Sequence, residues 1–112
     1  MKFANPYLSD IAKANMLERW IIVHSILYYC QDTNVVSDRM YDMNSKRLVE
    51  LFENMSLKEK RKTKYWYVFQ AFDGSSGFGL YEGLNFEDRE YLSAQANLVL
   101  RIANKKLKEN RK

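Results

Sequence analysis

Apolar positions in the first quarter of the chain recur at steps of three and four. From Ser9 to Cys30 there is neither glycine nor proline, and Leu17, Ile21, His24 and Tyr28 fall on one helical face. The spacing predicts a helix behind Pro6, the only proline, with Asn5 or Ser9 as its cap. Gln31 to Val36 is a short polar break containing Asp32, Thr33 and Asn34. Ser37 then reads as an N-cap, with Asp38 in the first turn where the helix dipole favours an anion. Tyr41, Ser45, Leu48 and Phe52 continue the periodicity, so the first half predicts a helical hairpin.

Ser56, with Glu59 three residues later, has the form of a capping box. The segment behind it runs through a basic cluster into Tyr65-Trp66-Tyr67-Val68-Phe69. Its aromatic and β-branched residues suit a strand. The spacing of Tyr65, Val68, Phe69 and Phe72, the preceding cap and the lack of a partner strand favour a helix instead. All four glycines lie between Gly74 and Gly83 and mark a loop over residues 73–83. Asn85 caps a last helix whose buried stripe is Leu92, Ala96, Val99 and Ala103. The expectation is an all-α single domain over residues 1–112. An N-terminal helical hairpin (residues 17–53) is followed by two further helices joined by the glycine-rich loop (54–112).

Composition narrows the function classes. A chain of 112 residues with a 46% apolar share can bury one modest core. One cysteine, Cys30, rules out an intrachain disulfide and favours a reducing compartment. No leader-like segment is evident, and the apolar stretch from Trp20 to Cys30 is too short to span a bilayer. A soluble cytoplasmic protein without membrane association is expected. The net charge is +4 and the pI about 9.2. Lys58, Lys60, Arg61, Lys62 and Lys64 form one basic cluster, and Lys105, Lys106, Lys108, Arg111 and Lys112 another. Such clusters can attract phosphate backbones or simply form solvated helix faces.

Few motifs carry chemistry. One histidine and one cysteine cannot make a structural zinc site, so no metal is expected. His24 and Cys30, six apart on a helix, point to different faces and do not make a dyad. The loop Asp73-Gly74-Ser75-Ser76-Gly77-Phe78-Gly79 lacks the Gly-Lys-Ser/Thr ending of a P-loop. The informative stretch is His24 to Asp42. Tyr28 and Tyr29 close one helix. Asp38, Tyr41 and Asp42 open the next at i, i+3 and i+4, on one face. A closed hairpin would bring three tyrosines and two carboxylates together. Tyrosine faces stack on a cationic ring, and carboxylates accept hydrogen bonds from ribose hydroxyls.

Tyr28-Tyr29, with Ser37-Asp38-x-x-Tyr41-Asp42 beginning eight residues after Tyr29, resembles the Ia domain of bacterial NAD-dependent DNA ligases. The similarity covers residues 17–53 without a gap, and Leu48, Glu50 and Leu51 fit the family's second helix. The resemblance implies a hairpin that holds the nicotinamide mononucleotide (NMN) half of NAD. It assigns Tyr28 and Tyr41 to the nicotinamide ring and Asp38 and Asp42 to polar contacts. Tyr29 falls at a tyrosine-or-histidine position, and His24 near the pocket. The chain departs from the family at Ala71-Phe72-Asp73-Gly74, where alanine replaces the lysine of the Lys-x-Asp-Gly adenylation motif. Residues 54–112 match no part of the ligase.

The expected function is therefore a non-catalytic module that binds NMN or NAD, of a kind that suits a bacteriophage or mobile element. One alternative is an interaction protein whose basic clusters and Trp66–Phe72 aromatics contact nucleic acid or a partner protein. A third is an enzyme acting on NAD, or half of a split adenylating system with a lysine-bearing ligase partner.

Overall fold

A computed structural model describes residues 9–110 of the chain; side chains are described for residues 9–108. Asn5, the alternative first cap, and the basic residues Arg111 and Lys112 lie outside the described residues. Among those described there is no strand, and the fold is all-α. The elements are α1 (Asp10–Ser25), a π-helical turn (Ile26–Cys30), α2 (Asp38–Glu53), α3 (Leu57–Lys60), α4 (Trp66–Phe69), α5 (Leu80–Gly83) and α6 (Phe86–Asn110).

The caps fall where the sequence puts them. The Ala12 N–H donates to Ser9 Oγ at 3.1 Å and the Met40 N–H to Ser37 Oγ at 3.1 Å. The Asp88 N–H donates to Asn85 Oδ1 at 2.8 Å. At α3 the capping box closes both ways: the Glu59 N–H donates to Ser56 Oγ, and the Ser56 N–H to Glu59 Oε1. Leu17, Ile21 and Ile22 from α1, Ile26 from the π turn, Leu48 and Phe52 from α2, and Leu92 and Ala96 from α6 belong to one core. The α6 stripe is fully buried at Leu92 and Ala96 and only partly covered at Val99 and Ala103.

Two expectations need correction. The segment from Ser56 to Phe72 is not one helix but two four-residue helices separated by a turn. The cause is tertiary. The Lys64 N–H donates to Asn15 Oδ1 at 2.7 Å, and the Tyr65 N–H donates to Glu18 Oε1 at 3.0 Å. Backbone donors that would have continued the helix are taken by side chains of α1, which overrides the local spacing and cap signals. The glycine-rich stretch is likewise not loop throughout, because Leu80–Gly83 forms α5. Four expected helices become six among the described residues.

Glu18 is fully buried. Its Oε2 lies 2.8 Å from Thr63 Oγ1, which is also 2.8 Å from the Lys60 carbonyl. One threonine proton cannot serve both acceptors. A protonated Glu18 resolves the conflict by donating to Thr63 Oγ1, whose own proton then turns to Lys60. Burial pushes the Glu18 carboxyl up to about 7, against weaker opposing effects of the Tyr65 and Thr63 hydrogen bonds. His24 moves the other way: burial lowers it from 6.5 to about 4.

The two shifts have opposite consequences for stability. Glu18 is protonated in the fold but ionised in the unfolded chain between pH 4.5 and 7, so its contribution falls as pH rises through that window. His24 is neutral in the fold but charged in the unfolded chain between pH 4 and 6.5, so its contribution falls as pH drops. Where the windows overlap they cancel. The wild-type melting temperature should therefore vary little on their account from pH 4.5 to 6.5 and decline slightly towards 7. Glu18→Gln keeps an acceptor for Tyr65 and a donor for Thr63. It should leave the rise from His24 alone, and exceed wild type above pH 7 by up to about 3 kcal/mol. Thermal melts of both proteins across pH 4.5–8 check this.

Candidate functional site

The site forms where α1 ends and α2 begins. Ser25 Oγ donates to the Ile21 carbonyl at 2.7 Å, and the helix then widens into the π turn Ile26–Cys30. The Gln31 N–H donates to the Ile26 carbonyl, and Asp32 adopts a left-handed conformation with φ of 49°. Few residues besides glycine, asparagine and aspartate tolerate that conformation, and it turns the chain back towards Ser37. The widened turn leaves Tyr28 and Tyr29 exposed at the helix end while Ile26 and Leu27 stay in the core.

His24, Tyr28, Tyr29, Asp38 and Tyr41 line one cavity of about 60 Å³, closed on its other side by Thr33 to Ser37. Five of the six residues proposed for the ligand are thus brought together. Asp42 is not among the lining residues and is exposed on α2. The i, i+4 step from Asp38 shares a helix face, but the cavity meets only the first turn of that face. The volume holds a few water molecules or part of one planar ring, so a ribose and phosphate would lie outside.

The tyrosines differ in what they have free. Tyr41 Oη lies 2.8 Å from Ser25 Oγ, and burial raises its pKa, with smaller effects from its neighbours. Its hydroxyl is already engaged. Tyr29 Oη lies 3.2 Å from Ser76 Oγ, and its ring meets Phe78 edge-on at 5.4 Å. Tyr29 therefore ties the glycine-rich segment to the hairpin. Tyr28, 48% exposed, meets Tyr29 edge-on at 4.7 Å and is the most open to solvent of the three cavity tyrosines. His24 sits against Trp20 with ring centroids 4.4 Å apart, and its depressed pKa keeps the imidazole neutral near pH 7. A neutral imidazole has one donor and one acceptor.

Gly77 explains why the glycine-rich segment is built as it is. A Cβ there would run into both Tyr41 Oη and Ser25 Oγ. The backbone of residue 77 lies directly on the contact that joins α1 to α2, and only glycine allows that approach. Ser25 and Gly77 were not singled out from the sequence, since residues 25, 41 and 77 meet only in three dimensions. Glu18 left a faint signal: an acid beside Leu17, four residues from both Ala14 and Ile22.

The remaining candidates lie away from this cavity. In the basic cluster, Lys60 lies over the Trp66 ring at 5.7 Å, and Lys64 lies between the rings of Tyr65 and Tyr91. Lys58, Arg61 and Lys62 are exposed beside them. Burial and the Glu82 charge raise the Cys30 thiol pKa, the reverse of an activated nucleophile. Among the described residues no group of three or more His, Cys, Asp or Glu side chains is placed to hold a metal ion. None of their helices is long and apolar enough to cross a membrane.

Comparison with protein-family models, with curated proteins and with solved structures finds no match to this chain.

Gly77→Ala should destabilise the fold by about 1–3 kcal/mol, the usual cost of forcing a side chain into packed space. Removing the two hydroxyls it meets, with Ser25→Ala and Tyr41→Phe, should recover part of that loss. Denaturant unfolding of the single, double and triple variants gives the coupling directly.

Proposed function

We propose that the hairpin mouth binds a nicotinamide nucleotide, NMN or NAD, and that the chain is a non-catalytic binding module. The observation that carries this reading is the convergence of His24, Tyr28, Tyr29, Asp38 and Tyr41 on one cavity. Four of the five occupy positions to which the ligase resemblance gives a nicotinamide contact or a neighbouring place; Tyr29 falls at its tyrosine-or-histidine position.

In this reading the nicotinamide ring enters between Tyr28 and the Val35–Val36 wall. The cationic ring is attracted to the Tyr28 face, and Asp38 supplies an opposing charge at the cavity edge. His24, held neutral, offers a hydrogen bond without repelling the ring. Tyr41 forms the floor through its ring, since its hydroxyl is taken by Ser25. The ribose and phosphate remain in solvent, and the contact is correspondingly weak.

Ala71 stands where the ligase family has its adenylation lysine, so transfer of adenylate to this chain has no acceptor there. The nucleic-acid reading has less support, because Lys60 and Lys64 are held over aromatic rings rather than presented together.

Isothermal titration should show binding of NMN and NAD and none of adenosine monophosphate, which lacks the cationic ring. Tyr28→Ala should weaken NMN about tenfold, the scale of one partly desolvated cation–π contact. Asp38→Ala should weaken it too, while Asp42→Ala should leave it within twofold. Absence of NMN and NAD binding at millimolar concentration, with the fold intact by circular dichroism, would sink the proposal.

A further inference from the structure

The outer face of α6 carries apolar side chains that the core does not use. Leu98 is 41% exposed and Ile102 is 49% exposed. Tyr91, Ala94, Leu98 and Ile102 step by three, four and four, so they form one stripe. It is separate from the inward stripe of Leu92, Ala96, Val99 and Ala103. The charges of the same helix are mostly sorted by end, and the exception Arg89 is turned to the Glu82 and Leu84 carbonyls. Glu87, Asp88 and Glu90 lie in its first turns, and Arg101, Lys105, Lys106 and Lys108 in its last.

We propose that two copies of this chain associate through α6, antiparallel, about a two-fold axis at Leu98. Residues equally spaced on either side of Leu98 then face one another across the pair. Leu98 meets its own copy, and Ile102 meets Ala94. Tyr91 meets the aliphatic stem and ammonium of Lys105. On the flanks, Lys106 runs beside Asp88 and Lys108 beside Glu90, each with the partner's residue. The two flanks therefore pair opposite charges, while the apolar stripe closes in the middle.

The charge order selects this occupant. A parallel pair would set lysine against lysine at one end and acid against acid at the other. A polyanion would be repelled by the acidic half of the helix. Self-association with reversed direction satisfies both halves at once, and a two-fold contact is closed, so it stops at a dimer. The segment from Glu87 to Lys108 spans about 33 Å at the helical rise, long enough for three turns of contact on each side of the axis.

Sedimentation equilibrium of the full chain across the micromolar range tests the proposal. Wild type should be a monomer–dimer equilibrium. Leu98→Asp, at a solvent-facing position that the monomer fold does not need, should raise the dissociation constant at least about thirtyfold. Glu90→Lys alone and Lys108→Glu alone should each weaken the dimer by setting like charges together. An equimolar mixture of these two variants should restore it, because each end of the heterodimer again pairs opposite charges. A wild-type monomer throughout the range would overturn the proposal. So would a dimer indifferent to Leu98→Asp, or a mixture no tighter than its components. None of these readouts depends on NMN, so the dimer and the ligand site stand or fall separately.

Discussion

The second half of this chain is held in place by a buried carboxyl group. Glu18 reaches from the middle of α1 to the turn between α3 and α4, where it meets Thr63 and the Tyr65 N–H, with Asn15 beside it on the Lys64 N–H. An acid in that position is costly when ionised and well bonded when protonated. With the turn fixed, Tyr65 and Phe69 enter the core and the chain returns along α5 to α6. The glycine-rich segment is then held over the hairpin mouth.

That placement shapes the cavity. The hairpin alone supplies Tyr28, Tyr41 and Asp38, but the contact of Ser25, Tyr41 and Gly77 decides how the Tyr41 ring lies. Tyr29, anchored to Ser76 and Phe78, closes one side. Residues 54–112 therefore act on the site as a clamp. They leave Tyr28 free, commit the Tyr29 hydroxyl through Ser76, and set Gly77 against the Ser25–Tyr41 contact.

Much of the fold was legible in the sequence because its signals are local. Ser9, Ser37, Ser56 and Asn85 cap helices by side-chain geometry within four residues, and the stripes of α1, α2 and α6 follow helical spacing. The segment 56–72 was misread because its apolar spacing and cap point to a continuous helix, whereas the donors that break it are claimed by Asn15 and Glu18, more than forty positions away. At the site, adjacency along the hairpin was enough to bring five candidates together. Asp42 fell outside because a shared helix face is longer than the cavity it borders. The part played by Gly77 was hidden for the same reason as that of Glu18: nothing local marks a contact among residues 25, 41 and 77.

The central claim is that the cavity between the π turn and α2 takes a nicotinamide ring. Amide and aromatic NMR spectra recorded during titration with NMN test it most directly. Shifts confined to His24, Tyr28, Tyr29, Val35, Val36, Asp38 and Tyr41, saturating with ligand and silent at Asp42 and on the outer face of α6, are the predicted result. Spectra unchanged at millimolar NMN, or shifts centred elsewhere on the chain, would contradict it.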